Sequence, residues 1–151
     1  MATKTRVSST TFNLKAPVLS VGRDDQVLSR TQDLSLRLKV YAEGGENAMH
    51  YHADEDHAFI VLQGEATFHL DTDDNTRVVS QWSGIMIPKG ARYFFTSTGE
   101  VNLVLLRAGS PGVRGDNTRR APDGGELAGH DPRNKHIDGV PVAGKFFGFQ
   151  G

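Results

Sequence analysis

From Asp33 the chain reads DLSLRLKVY, in which Leu34, Leu36, Leu38 and Val40 alternate with Ser35, Arg37, Lys39 and Tyr41. Successive side chains of a strand point to opposite faces, so a period of two predicts a β-strand with one buried face. Further strand-like stretches follow at short intervals: HAFIVL (57–62), EATFHL (65–70), TRVVS (76–80), GIMIP (84–88), RYFFTS (92–97) and VNLVLLR (101–107). Gly, Asp and Asn punctuate nearly every boundary, as turns between strands require. No stretch before residue 107 has helical periodicity. Many short strands in one small domain predict an all-β fold, with an antiparallel jelly-roll β-barrel as the natural closure.

The barrel is expected over residues 16–107, after a polar, flexible segment at 1–15. Beyond Ala108 the composition shifts: ten of the seventeen glycines and four of the six prolines fall there. Residues 108–151 are therefore expected to form an irregular Gly/Pro-rich tail, packed on the barrel or on a partner through the apolar GKFFGF.

Charge and composition narrow the function. A net charge of −1 without a basic run gives no electrostatic reason to bind nucleic acid or an anionic membrane, which leaves small molecules and protein partners. The chain has no cysteine, so disulfides, thiolate nucleophiles, iron–sulfur clusters and zinc–thiolate sites are excluded, and any metal must be held by nitrogen and oxygen. The opening MATKTRVSSTTFNLK lacks the apolar core of a signal peptide, and no apolar run reaches membrane-spanning length. A cytoplasmic protein is the expectation.

The chemistry concentrates in HYHADEDHAFIVLQGE, residues 50–65. His50 and His52 would share one face of a strand, and a reversal through ADED can return His57 beside them. Three converging imidazoles suit Zn, Fe, Ni or Cu; three exposed polar residues around a solvated turn are the plainer alternative. Asp56 competes with His57 for the inward position, and alternation alone does not decide between them. Asp54, Glu55 and Asp56 read as a solvated turn.

Gly44, five residues, His50-x-His52, four residues, His57, six residues and Gly64 resemble the first motif of the cupin superfamily, with His57 in place of the family's glutamate. The second motif is partial in WSGIMIPKGARYFFTS: Pro88 and Gly90 are kept, while Trp82, Tyr93 and Ser97 stand at the Gly, His and Asn positions. The resemblance, to small single-domain cupins, covers roughly residues 33–107. It implies a cupin jelly roll, a divalent transition metal (Zn, Fe, Ni or Mn) on His50, His52 and His57, and a homodimer. It also implies chemistry on a small organic molecule, aromatic, carbonyl or carboxylate. The reaction would be of dioxygenase type or a Lewis-acid enolisation, cyclisation or isomerisation. The rival expectation is a non-catalytic, ligand-binding or sensing cupin with a degenerate metal site.

Replacing a carboxylate ligand by neutral imidazole leaves a metal centre more positive and a stronger Lewis acid. Tyr93 is open to three roles: fourth ligand, acid–base group or pocket wall. Phe59, Trp82, Met86 and Phe95 are expected to line an apolar pocket. Arg37, Lys39 and Arg107 either meet a substrate carboxylate or face outward. DTDDNT (71–76) lacks the glycine and glutamate of a calcium loop, RGD (114–116) is a chance match, and His69, His130 and His136 are weak metal candidates.

Overall fold

Strand-like stretches of the sequence are strands in the computed structural model, which describes residues 6–116, 118–128 and 131–151. In chain order they are β1 (Lys15–Val21), β2 (Arg23–Arg30), β3 (Ser35–Tyr41), β4 (Gly45–His52), β5 (Asp56–Gln63) and β6 (Glu65–Leu70). There follow β7 (Thr76–Ser80), β8 (Gly84–Ile87), β9 (Tyr93–Ser97), β10 (Leu103–Ser110), β11 (Arg119–Arg120) and β12 (Val140–Gly148). One five-stranded sheet has the order β2-β3-β10-β5-β8 and a second the order β11-β4-β9-β6-β7. Neighbours in both are antiparallel. Strand β3 lies beside β10, β4 beside β9, β5 beside β8 and β6 beside β7, the nested pairing of a hairpin folded into a jelly roll.

Between the sheets lies an apolar core that includes Tyr41, Phe59, Val61, Phe68, Ile87, Tyr93, Phe95, Leu103 and Leu105. Most of its aromatic rings meet edge-on or tilted, as in Tyr41 against Phe95 at 5.2 Å between centroids. Gly64, between β5 and β6, has φ +82°, and a Cβ there would come within 2.9 Å of the Asn102 carbonyl oxygen. The motif glycine is thus a backbone requirement. Trp82, at the corresponding glycine position of the second motif, keeps a left-handed φ of +69°.

The expectation of one buried face for β3 is corrected. Leu38 and Val40 point out of the barrel and are buried with Ala16, Leu19, Leu62 and Val104 in a second cluster. That cluster is covered by a two-stranded sheet of β1 and β12, with Phe147 packed against it. The opposite face of β3, with Arg37, Lys39 and Tyr41, turns inward. Leu34 precedes the strand and is exposed. The described residues between β10 and β12 form no regular element apart from β11 and a 3-10 turn at Pro132–Asn134. The chain then straightens into β12, where Phe147 pairs in register with Ala16 and Phe146 with Pro17.

Candidate functional site

Alternation along β4 puts His50 and His52 on one face, with ring centroids 5.4 Å apart. His57, the second residue of β5, returns to within 4.4 Å of the His52 ring. Tyr93 opens β9 in register with His50 and lies 4.4 Å from that ring. All four side chains are buried. The fold therefore gathers the residues that the two motifs single out.

Asp56 does not compete with His57. It is exposed, and its carboxylate accepts the Lys89 backbone N–H at 2.8 Å. The solvated-turn reading holds for Asp54 and Asp56 and fails for Glu55, which is 2 % exposed. Glu55 Oε1 lies 2.9 Å from His57 Nε2 and 3.5 Å from Arg107 Nη1.

His52, His57 and Tyr93 line a cavity of about 310 Å³, with His50 packed behind them. The rest of the wall is charged: Asp25, Arg37, Lys39, Glu46, Arg107, Arg119 and Glu126, closed by Thr118, Leu127 and Ala128. The apolar pocket expected of Phe59, Trp82, Met86 and Phe95 is not formed. Phe59 and Phe95 are core residues beneath the site. Met86 alternates outward from Ile87 and is exposed, and Trp82 stands 75 % exposed in the turn before β8. Large apolar side chains went to the core or the outer face, and the polar face of β3 supplied the wall.

Two ion networks build that wall. Glu46 receives Lys39 Nζ at 2.9 Å and Arg119 Nη2 at 2.7 Å, with His50 Nε2 at 3.4 Å. Burial alone would raise the Glu46 carboxyl; Lys39, Arg119 and His50 outweigh it and hold the group well below its ordinary value. Burial alone would lower the Lys39 ammonium, and Glu46 reverses this and raises it. Burial lowers His50 to about 4, His52 to about 2 and His57 to about 3, with Arg107 adding to the effect on His57 and His57 to that on His52. All three imidazoles are neutral at pH 7. Burial raises the Tyr93 phenol, which stays protonated.

Neutral, buried imidazoles with unpaired nitrogens are the donor chemistry that Zn, Fe, Ni or Mn requires. His50 Nδ1 donates to the Ala48 carbonyl at 2.7 Å, which leaves Nε2 as the ring's lone-pair nitrogen. His50 Nε2, His52 Nδ1 and His57 Nδ1 have no hydrogen-bond partner. The donor types fit a metal; the ring orientations do not yet converge, because among the described residues no three His, Asp or Glu side chains stand in metal-binding geometry. His57 is the deciding ring. Arg107 Nη1 lies 2.8 Å from its Nε2, and a guanidinium only donates. If Nε2 accepts from Arg107, Nδ1 carries the proton and cannot ligate. If Nε2–H donates to Glu55, the Nδ1 lone pair is released.

Sequence reasoning had Arg37, Lys39 and Arg107 as candidates and missed Glu46, Glu55 and Arg119. Glu46 follows a glycine pair that reads as a break, and Arg119 belongs to the tail. Pairing of β11 with β4 sets Arg119 opposite His52. His69 stacks on Phe94 and His136 pairs with Asp138, both away from the cavity, while His130 lies outside the described residues. Among the described residues no helix is long and apolar enough to cross a membrane.

Residues 37–108 match the Cupin_2 family, the cupin domain. A protein of Aquifex aeolicus (strain VF5) is 37 % identical over 71 residues, 47 % of this chain and 56 % of the relative. YdbB of Bacillus subtilis (strain 168) is 38 % identical over 63 residues, 42 % of this chain and 53 % of the relative. The matched region thus spans about half the length of these curated relatives. The structure of KdgF from Halomonas sp. is similar with a TM-score of 0.57 and 18 % identity, covering 68 % of this chain and 94 % of that one. A cupin superfamily protein from Desulfitobacterium hafniense DCB-2 has a TM-score of 0.51 and 18 % identity, with 59 % and 77 % covered. These likenesses are of fold. Jelly-roll pairing, motif glycines and a buried histidine cluster in the barrel mouth agree with the family match: residues 37–108 of this chain are a cupin domain.

Proposed function

We propose that the cavity binds a small organic molecule and that His50, His52 and His57 hold a divalent transition metal (Zn, Fe, Ni or Mn) beside it. One observation carries this reading: three buried imidazoles, neutral at pH 7, each keep a ring nitrogen without a hydrogen-bond partner, and two of the rings, His52 and His57, line the cavity. Bound there, the metal would supply Lewis acidity for enolisation, cyclisation or isomerisation, or oxygen chemistry if it is iron. Tyr93 faces the same cavity as a protonated phenol, placed to donate a hydrogen bond to a substrate oxygen. The core aromatics beneath, Phe59 against Tyr93 at 5.8 Å, exclude water from the floor.

The rival, a metal-free ligand-binding cupin, is favoured by Arg107, whose donation to His57 would remove that ring from any ligand set. Elemental analysis of protein purified without a tag or chelator separates the two. Near-stoichiometric metal in the wild type and little in a His50→Ala/His57→Ala double variant is expected. Wild-type protein that stays empty after metal is added back would sink the metal reading and leave the rival.

A further inference from the structure

Resting on the reading that this cavity is the ligand site, we propose that its ligand is a small carboxylate held between Arg107 and Arg119. The two arginines come from opposite sheets, Arg107 on β10 and Arg119 on β11, and both line the cavity. Arg107 Nη1 lies 2.8 Å from His57 Nε2 and 3.5 Å from Glu55 Oε1, and its Nη2 donates to Ser35 Oγ at 3.3 Å. Arg119 Nη2 pairs with Glu46. In both, the buried Nε–H has no acceptor in the protein. A buried donor without a partner costs roughly 1–3 kcal/mol, more when charged, so two on guanidinium groups that line one cavity favour a ligand that accepts. Guanidinium donors match the planar fork of a carboxylate.

Charge agrees with this assignment. The wall carries four cations (Arg37, Lys39, Arg107, Arg119) against three carboxylates (Asp25, Glu46, Glu126), an excess of one positive charge before any metal is counted. Glu55 stands behind Arg107, 3.5 Å from its Nη1, and is not part of the cavity wall. A single-charged carboxylate balances such a wall. A phosphate dianion would face the same acidic groups at twice the charge. Arg119 reaches the site because β11 pairs with β4, so β11 is part of the binding site.

The test is calorimetric titration of the full chain, with and without added zinc, at fixed ionic strength. Probes are the monoanions pyruvate, lactate and propionate, the neutral pyruvamide, lactamide and propionamide, and inorganic phosphate. Pyruvate, lactate or propionate is expected to bind at least tenfold more tightly than its amide. Arg119→Gln should weaken that binding at least tenfold, and Arg119→Lys should restore part of it. The inference is overturned if the amides bind as well as the acids, if Arg119→Gln binds like wild type, if phosphate outcompetes every carboxylate, or if no carboxylate binds. Because zinc content is read separately, carboxylate binding by a chain that takes up no metal keeps this inference and sinks the metal. Metal uptake without carboxylate selectivity does the reverse.

Discussion

Glu46 is the residue on which the site wall depends, because Lys39, Arg119 and His50 all converge on a carboxylate that is 4 % exposed. Removing one partner of a buried ion pair leaves the other charges uncompensated, at a cost of about 3–5 kcal/mol. Glu46→Gln is therefore expected to lower stability by roughly 3 kcal/mol. Asp25→Asn removes a partly exposed partner of Arg37 and Lys39 and should cost under about 1 kcal/mol. Urea unfolding of the two variants checks this, and equal losses would show that the buried network is not what holds the wall. His50, His52 and His57 were legible in the sequence because spacing marks them. Glu46 was not, since a carboxylate after a glycine pair has no local signature and acquires its role from partners on other strands, Lys39 on β3 and the distant Arg119 on β11.

At the level of elements, β12 shows how much a Gly/Pro-rich composition conceals. The stretch GKFFGF lies almost wholly in a nine-residue strand that pairs with β1 and covers the outward leucine face of β3. Phe147 packs on that cluster, whereas Phe146 faces solvent with Lys15 Nζ over its ring at 4.5 Å. Phe147→Ala should cost about 2 kcal/mol, less than a fully buried phenylalanine because the site is partly open. Phe146→Ala should cost under about 1 kcal/mol. Matched thermal or urea melts would decide, and a larger loss at Phe146 would mean that the strand faces the other way. Alternation told that β3 has an apolar face. Only the cover supplied by β1 and β12 determined that this face is the outer one.

For the whole molecule, three neutral histidines in one buried site make stability depend on pH. Their folded-state values, about 4, 2 and 3, lie below the ordinary 6.5. Between these limits the unfolded chain binds more protons than the folded one, so stability is full above pH 6.5 and falls as pH drops toward 4. Each ring contributes up to about 1.4 kcal/mol per pH unit in that window. Glu55 has the opposite sign: its raised carboxyl favours the folded state at low pH and offsets part of the loss near its own titration. Metal-free protein should thus weaken steeply from pH 6.5 to 5 in chemical denaturation. A flat profile would mean that the rings are hydrated rather than buried. By itself the sequence determined most of the barrel strands, the motif glycines and the histidine spacing, because these depend on short-range periodicity and backbone sterics. Tertiary structure alone decided which face of each strand looks inward, and with it that the cavity is charged. Facing is set by what covers a sheet from outside, here β12 from the far end of the chain, and no local pattern carries that information.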